Sequence, residues 1–454
     1  MLFNSFEYLL FLPLVIVMYY LLPAAYRWVL LLGASCYFYM VYKPVFILII
    51  FFIILVDYRA AIMIDRSTGH RRKLYLVISI LSNIGILMYF KYFNFIIENI
   101  NLVRQTAGWK PYSFMEILLP LGLSFHTFQA MSYTIEVYRG HFKPERHLGY
   151  YALYVMYFPQ MVAGPIERPQ HLIGQLRTDH PYNRQNIVDG LKLVMYGLFK
   201  KVVIADNISR IVDEYYGVAT DHYNSAIAIF LFTIQIYCDF SGYSDIAIGS
   251  SRCLGIDIMK NFNFPLFAGS MSSFWRNWHI SLTTWFRDYV YIPMGGSEVS
   301  GFRKNLNRFI VFCISGLWHG AQWTFVLWGG IHGLLLIIED KLHLRNRHTR
   351  LTTITTFILI SLTFVLFRAP DLHIAAVTFT NLLSPAIIIT PAYAWWIALV
   401  TGFLLFEYKI RNTGFVAFVN TKLPEQRKYY YYTLMLGIYF LGNWNAYQFI
   451  YFQF

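Results

Sequence analysis

The chain has 454 residues, of which 57% are hydrophobic and 13% are charged. A soluble domain is about 45–50% apolar and about 25% charged, so this composition excludes an ordinary soluble protein and indicates a polytopic membrane protein. The net charge is +13, but the basic residues lie between apolar runs, which the positive-inside rule explains without a nucleic-acid partner. The four cysteines show no metal-ligand spacing, so no metal site is predicted.

Apolar runs recur along the whole chain, and about 20 such residues cross roughly 30 Å of hydrocarbon as a helix. The predicted spans are 6–22, 74–97, 117–136, 187–205, 224–240, 352–368, 392–408 and 429–446. Residues 28–56 fit either one long tilted span or two short spans broken at Lys43-Pro44. The first run lacks the basic start of a signal peptide and is predicted to be a span. No repeat or linker marks a boundary, so 1–454 is predicted to form a single transmembrane domain.

The distribution of lysine and arginine predicts the orientation of the loops. The basic loops 59–73, 139–146, 303–308, 341–350 and 409–428 should be cytoplasmic. The loops 206–222 and 369–392 are poor in basic residues and should lie outside. The chain after the last span is therefore expected on the extracytoplasmic side, whereas the orientation of the N-terminus stays open.

Three apolar stretches carry residues that ordinary spans avoid. Residues 151–172 contain three prolines, and residues 238–256 contain Asp239, Asp245 and Arg252. Residues 274–296 mix aromatic and charged side chains. Broken or polar backbone at membrane depth is tolerated only where it is buried in protein or lines a wet cavity. These stretches are predicted to be re-entrant or interior elements around a polar passage.

Residues 309–339 lie between two basic loops and must enter and leave the membrane on one side. Because this stretch is short for two full spans, we predict a broken hairpin with the break at Gly316–Gly320 and His319 at its apex. Close helix packing explains the two glycines. It does not explain the histidine between them.

An ionisable residue inside a bilayer indicates a functional site. The candidates are His279 in WRNWHISLTTWFRD and His319 in GLWHGAQW. Dry surroundings favour the neutral imidazole, which can accept a proton as a general base. A core histidine bonded to a backbone carbonyl is an equal alternative for each. His126 and His332 fit that structural role better.

Four motifs in order carry a resemblance to a known family: FPQMVAGPIERPQHL, DFSGYSDIAIGSSRCLGI, FNFPLFAGSMSSFWRNWHISLTTWFRDYVYIPMGG and GLWHGAQWTFVLWGGIHG. The chain resembles the membrane-bound O-acyltransferase (MBOAT) superfamily, in particular its bacterial branch that acts in alginate O-acetylation, peptidoglycan O-acetylation and teichoic acid D-alanylation. The resemblance implies an all-α fold of about ten or more membrane helices with re-entrant segments around a central tunnel, in the bacterial inner membrane. It also implies an extracytoplasmic acyltransferase of the SGNH-hydrolase type as partner.

The resemblance implies that the two signature histidines are His279 and His319, and that His319 is catalytic. The implied reaction transfers an acyl group, most simply acetyl, from a cytoplasmic thioester such as acetyl-CoA or an acyl-carrier protein, with no bound cofactor. His319 would be the general base, and His279 would shape the tunnel or orient the thioester. Further candidates for substrate contact are Trp318, Asn277 and Ser281 for the oxyanion, Trp278 in the tunnel wall, and Arg276 and Arg287 for coenzyme A phosphates. For the two arginines, interfacial cytoplasmic charges are an equal alternative.

The sequence closes on FIYFQF, residues 449–454. An aromatic belt at the membrane interface would explain this composition. The segment also resembles the aromatic C-terminal motif with a central tyrosine of bacterial polymer-acylation systems, which implies that Tyr451 relays the acyl group as an ester.

Two other functions stay open at this stage. The enzyme could acylate a lipid or a protein directly, as other members of the superfamily do. A transporter also builds polar sites from broken helices, although no inverted repeat is visible.

Overall fold

The computed structural model describes residues 1–162, 164–218, 225–344, 349–383, 391–444 and 450. Within these ranges the chain forms helices and turns and no β-strand. The predicted all-α class is therefore confirmed. The chain divides into two compact units, which are described one at a time; the prediction of a single domain stays a prediction.

The first unit contains Met1 and the ranges 7–184 and 251–259. Its helices are α1 (Phe6–Leu21), α2 (Ala24–Met40), α3 (Ile47–Arg66), α4 (Gly69–Leu87), α5 (Phe93–Thr106), α6 (Leu123–Arg139), α7 (Leu148–Met156) and α8 (Pro169–Arg177). A π-helical segment, Met88–Tyr92, joins α4 to α5 without a break.

The ambiguous stretch 28–56 forms two helices, α2 and α3. Lys43 is extended, with φ −152° and ψ 106°, and Pro44 opens a short 3₁₀ turn that leads into α3. Proline cannot donate to a preceding helical turn and disfavours the helical conformation of the residue before it. Of the two alternatives for this stretch, the structure shows two helices broken at Lys43-Pro44.

Polar groups join the helices of this unit. Asp57 of α3 accepts hydrogen bonds from Ser79 at 2.6 Å and from Asn83 at 2.9 Å, both on α4. The predicted span 117–136 begins later than expected, because α6 starts only at Leu123, after Gly122 in the left-handed conformation. In the proline-rich stretch 151–172, α7 ends at Met156 and Pro169 is the first residue of α8.

The second unit contains residues 2–6, 185–250 and the chain from 260 onward. Its helices are α9 (Arg184–Leu198), α10 (Asp206–Val218), α11 (Ser225–Cys253), α12 (Met271–Asn277), α13 (Ile280–Phe286), α14 (Gly301–His319), α15 (Trp323–Lys341), α16 (Arg350–Arg368), α17 (Leu372–Asn381), α18 (Pro391–Ile410), α19 (Phe415–Asn420) and α20 (Pro424–Leu441). A π-helical segment, Phe199–Ala205, joins α9 to α10, and another, Arg287–Tyr291, follows α13.

The acidic residues in 238–256 lie on an unbroken helix. α11 runs from Ser225 to Cys253 without interruption. Asp239 pairs with Lys201 at 2.6 Å, and Asp245 pairs with Lys200 at 2.8 Å. Buried charges are tolerated when they are paired, so these carboxylates do not require a break in the helix.

The predicted hairpin at 309–339 is present, but its break lies slightly later than expected. α14 continues through Gly316 to His319, and only residues 320–322 separate it from α15. The two helices are in backbone contact: a Cβ on Gly316 would come within 2.1 Å of the carbonyl oxygen of Phe325, and one on Gly329 within 2.1 Å of that of Phe312. Close packing therefore explains Gly316, and its partner is Gly329 on the opposite helix.

Five helical stretches of the described chain are long and apolar enough to cross a membrane. They are Pro44–Arg66, Gly69–Thr106, Ser225–Cys253, Trp323–Lys341 and Arg350–Arg368. α1 is apolar but shorter. The protein is thus a helical, multi-pass membrane protein, as its composition predicts.

Candidate active site

His279 occupies an unusual backbone position between two short helices. α12 ends at Asn277 and α13 begins at Ile280, and His279 adopts φ 42° and ψ 54° between them. Left-handed geometry costs a side-chain-bearing residue roughly 1–2 kcal/mol. Strain of this kind persists only where the surrounding structure enforces it, and it is frequent at functional sites.

Asn261 enforces this turn. Its carbonyl oxygen accepts a hydrogen bond from the backbone N–H of Ile280 at 2.9 Å. Its side-chain oxygen accepts from the hydroxyl of Ser281 at 2.6 Å, and its amide group donates to Ser244 at 3.3 Å. Asn261 is fully buried. Asn261 therefore holds both Ile280 and Ser281, the two residues after His279. Asn261 was not among the predicted site residues.

Aromatic rings enclose His279 and Trp278. Phe240 of α11 approaches the His279 imidazole edge-on, with ring centroids 4.6 Å apart. Trp278 stacks on Phe274 at 5.2 Å and meets the edge of Phe262 at 5.1 Å. Trp278 is thus part of the packed wall behind the turn, and its ring faces other aromatic side chains.

His319 is the last residue of α14 and is also buried. Gly320 follows in an extended conformation, where a Cβ would come within 2.1 Å of the Phe325 ring. Trp328 and Phe367 meet the imidazole edge-on, with centroid distances of 5.2 and 5.4 Å. A glycine is therefore needed after His319 so that the chain can turn tightly into α15.

The two predicted histidines lie together. Their ring centroids are 6.4 Å apart, and Trp318 lies 5.1 Å from His319 and 6.2 Å from His279, centroid to centroid. Since a hydrogen-bonded atom lies about 3 Å from a ring nitrogen, one small reacting group can be reached from both rings. The arrangement can transfer a proton in a space from which packed aromatic rings exclude bulk water.

Trp328 is a second residue that sequence reasoning missed. Its ring lies between His319 and His332, whose centroid is 4.8 Å away. Its indole N–H is buried and has no hydrogen-bond acceptor among the described residues. The only sequence signal was its position in WGGIH, one helical turn before a histidine.

His332 and His126 behave as core histidines. Nδ1 of His332 accepts from the indole of Trp275 at 3.3 Å, and its Nε2 lies 2.9 Å from the hydroxyl of Thr363. In the first unit, Nδ1 of His126 lies 3.3 Å from the carbonyl oxygen of Val155.

The remaining predicted residues differ in their availability. The amide of Asn277 donates to the carbonyl of Ser273 at 2.8 Å, and the Ser281 hydroxyl is bonded to Asn261. Arg276 is exposed, and Arg287 is exposed and paired with its neighbour Asp288 at 2.7 Å. Tyr451 lies outside the described residues.

The fold and this site define a class: a polytopic, all-α membrane protein with a buried pair of histidines at helix ends. The family model "MBOAT, membrane-bound O-acyltransferase family" matches residues 145–353, a range that contains both histidines. The chain belongs to this family and is an O-acyltransferase.

Three relatives agree with this assignment. A probable alginate O-acetylase of Pseudomonas putida is 37% identical over 384 residues, which cover 83% of this chain and 79% of that protein. A peptidoglycan O-acetyltransferase of Helicobacter pylori is 32% identical over 408 residues, which cover 80% of this chain and 76% of that protein. A teichoic acid D-alanyltransferase of Bacillus subtilis is 24% identical over 276 residues, which cover 56% of this chain and 69% of that protein.

Proposed function

We propose that this protein transfers an acetyl group from a cytoplasmic thioester, acetyl-CoA or an acyl-carrier protein, across the bacterial inner membrane for the O-acetylation of an extracytoplasmic polysaccharide. The approach of His279 and His319 to 6.4 Å in one buried aromatic site carries this proposal. The names of two relatives, an alginate O-acetylase and a peptidoglycan O-acetyltransferase, support acetyl as the group and a glycan as the final acceptor.

In the proposed reaction His319 is the general base. It accepts the proton of a hydroxyl, whose oxygen attacks the thioester carbonyl carbon; a C–O bond forms and the C–S bond breaks. The proton on His319 passes to the departing thiolate, so that the thiol and an oxygen ester are the products. General-base catalysis contributes typically 10²–10⁴-fold to the rate.

The first acceptor is the hydroxyl of Tyr451, which then hands the acetyl group to an extracytoplasmic SGNH-type partner. Residue 450 supports this assignment, because its backbone is bonded to Asp239, next to the Phe240 ring that contacts His279. The C-terminal segment is extracytoplasmic in this scheme, and the donor enters a tunnel from the opposite side.

The developing oxyanion needs a hydrogen-bond donor. Trp318 is favoured over Asn277 and Ser281, because its ring lies near both histidines. His279 orients the thioester. Arg276 and Arg287 are exposed and are proposed to contact coenzyme A phosphates or the carrier.

The test is label transfer from radiolabelled acetyl-CoA to protein reconstituted in liposomes, with and without the polysaccharide and the partner. His319→Ala should lose at least about 100-fold in rate. His332→Gln, which alters a buried histidine outside the pair, is the matched control and should retain turnover per folded molecule. Undiminished transfer by His319→Ala would contradict the proposal, and label that ends in lipid or protein instead of glycan would favour the direct acylation of those acceptors.

A further inference from the structure

Ile450 is buried in the protein interior. Its backbone N–H donates to Oδ2 of Asp239 at 2.8 Å, and the residue is 3% exposed. Upstream, Asn443 donates from its backbone to the carbonyl of Val202 at 2.9 Å and from its side chain to the carbonyl of Asp206 at 3.0 Å. Asn443 and Ile450 are therefore both bonded to the same place in the second unit.

That place is a buried cluster of charges. Lys201 lies between Asp206 at 2.7 Å and Asp239 at 2.6 Å, and all three are buried. The π-helical segment Phe199–Ala205 carries both Lys200 and Lys201 and aims them at separate partners. A carboxylate held by a lysine on one oxygen and by a backbone N–H on the other is a charge-assisted, directional contact.

The cluster is next to the histidine site along α11. Asp239, which holds Ile450, is followed by Phe240, whose ring lies 4.6 Å from that of His279. A helix fixes the relative position of adjacent residues, so the acceptor of the Ile450 hydrogen bond and the wall of the histidine site lie on one rigid element.

We propose that Asp239, held by Lys201, is a positioning residue that anchors the chain at Ile450, the residue before the proposed acyl carrier, and that acyl transfer depends on this anchor. This inference rests on the proposed role of Tyr451 as acyl carrier. The buried ion pair of Lys201 and Asp239 would thus have a role in acyl transfer in addition to its role in stability.

Asp239→Asn tests the anchor with minimal change in shape. An asparagine offers one oxygen and one NH₂ group, so it can satisfy either Lys201 or the N–H of Ile450, but not both. The ammonium group takes the oxygen, and the NH₂ then opposes the backbone donor. Asp245→Asn is the matched control, since Asp245 is also on α11 and is paired with the neighbouring Lys200 at 2.8 Å.

The first measurement is independent of catalysis. Ile450→Cys keeps the backbone donor and places a thiol at a buried position, and its rate of reaction with a bulky maleimide reports release of the segment from the purified protein. In the Asp239→Asn background, Ile450→Cys should react roughly tenfold faster or more than in the otherwise unchanged protein or in the Asp245→Asn background. The labelling of the native cysteines, measured without Ile450→Cys, is subtracted. Equal labelling in all three backgrounds would overturn the anchor.

The second measurement separates positioning from general stability. Asp239→Asn should lower kcat roughly tenfold or more and leave the KM for the acetyl donor unchanged. Ile450→Pro removes the donor N–H while Lys201 and Asp239 stay paired, and should show the same pattern, whereas Ile450→Val should not. A raised KM with unchanged kcat would overturn the positioning role.

The anchor and the relay fail in different ways. If Asp239→Asn speeds labelling of the Ile450→Cys variant while transfer continues at full rate, the contact with Ile450 is real but the positioning role of Asp239 is wrong. Tyr451→Phe with Asp239 intact then tests the relay by itself.

Discussion

The hydroxyl of Ser281 donates to the side-chain oxygen of Asn261 at 2.6 Å, two residues beyond the left-handed His279. Asn261 thereby fixes the far side of the turn that carries one of the two buried imidazoles. The orientation of His279 is thus determined by a residue 18 positions earlier in the chain.

Replacement of Asn261 by alanine should impair catalysis through the turn. A displacement of about 1 Å at a reacting group can cost 100-fold in rate, so we expect kcat to fall roughly 10- to 100-fold. Asn263→Ala is the matched control, because Asn263 bonds to Asn277 on the other side of the turn. Label transfer per folded molecule measures both, and an unchanged kcat in Asn261→Ala would show that the turn holds without this clamp.

Glycine should be better tolerated than alanine at position 279. Both remove the imidazole, but only alanine keeps the Cβ penalty of φ 42°, so His279→Gly should be about 1 kcal/mol more stable than His279→Ala. At His332, inside α15, the order should be reversed, since glycine in a helix costs roughly 0.5–1 kcal/mol relative to alanine. Thermal unfolding in detergent measures the stability of the four variants. If the alanine variant is more stable than the glycine variant at both positions, the enforced turn at His279 is contradicted.

Glu339 should couple the two histidine-bearing elements. From α15 it accepts the backbone N–H groups of Met271 at 2.5 Å and of Ser272 at 3.2 Å, at the start of α12. Glu339→Ala should cost about 1–2 kcal/mol, as expected for a lost helix cap. Asp340→Ala, which removes a partly exposed partner of Arg308, should cost less than about 1 kcal/mol. Similar losses in both variants would argue against the cap.

Glu407 should be essential for the stability of the second unit. It accepts from the hydroxyl groups of Tyr196, at 2.6 Å, and Tyr237, and pairs with Lys200 at 3.3 Å. Breaking a buried charge pair from one side costs about 3–5 kcal/mol, so Glu407→Leu should be severely destabilised. Adding Lys200→Met should recover part of the loss in thermal unfolding, and strict additivity of the two changes would contradict the coupling.

His171 should make stability depend on pH. Its imidazole bonds to Glu167 at 2.7 Å, and this bond, with the nearby Asp257, raises the pKa of His171 above 6.5. A raised pKa in the folded protein means that the stabilisation is complete below pH 6.5 and is lost as the pH rises through the folded pKa. Because His171 is exposed, the effect should be about 1 kcal/mol or less.

The measurement is the stability difference between the protein and His171→Gln as a function of pH. It should be largest near pH 6 and shrink toward pH 9. His180→Gln is the control, since His180 bonds to a backbone carbonyl rather than a carboxylate. A difference that grows with pH would contradict the assignment.

Much of this site was predictable from local sequence. Charge distribution predicted a hairpin within 309–339, and the family motifs selected both His279 and His319. The break at Lys43-Pro44 was one of two alternatives that the sequence left open. Asn261 and Trp328 could not be predicted in this way, because their roles depend on contacts made by the folded chain rather than on spacing. For the same reason Asp239 and Asp245 suggested a broken helix, since the lysines that neutralise them lie on the π-helical segment Phe199–Ala205, far from them in the sequence.

The contact between Gly316 and Gly329 has a mechanical consequence. Two helices whose backbones touch cannot slide or separate without opening a void, so His319 and Trp328 are carried on a single stiff hairpin. His279, in contrast, is suspended on a two-residue link whose geometry is maintained by Asn261. If the distance between the imidazoles changes, the movement is therefore expected in the His279 link rather than in the hairpin.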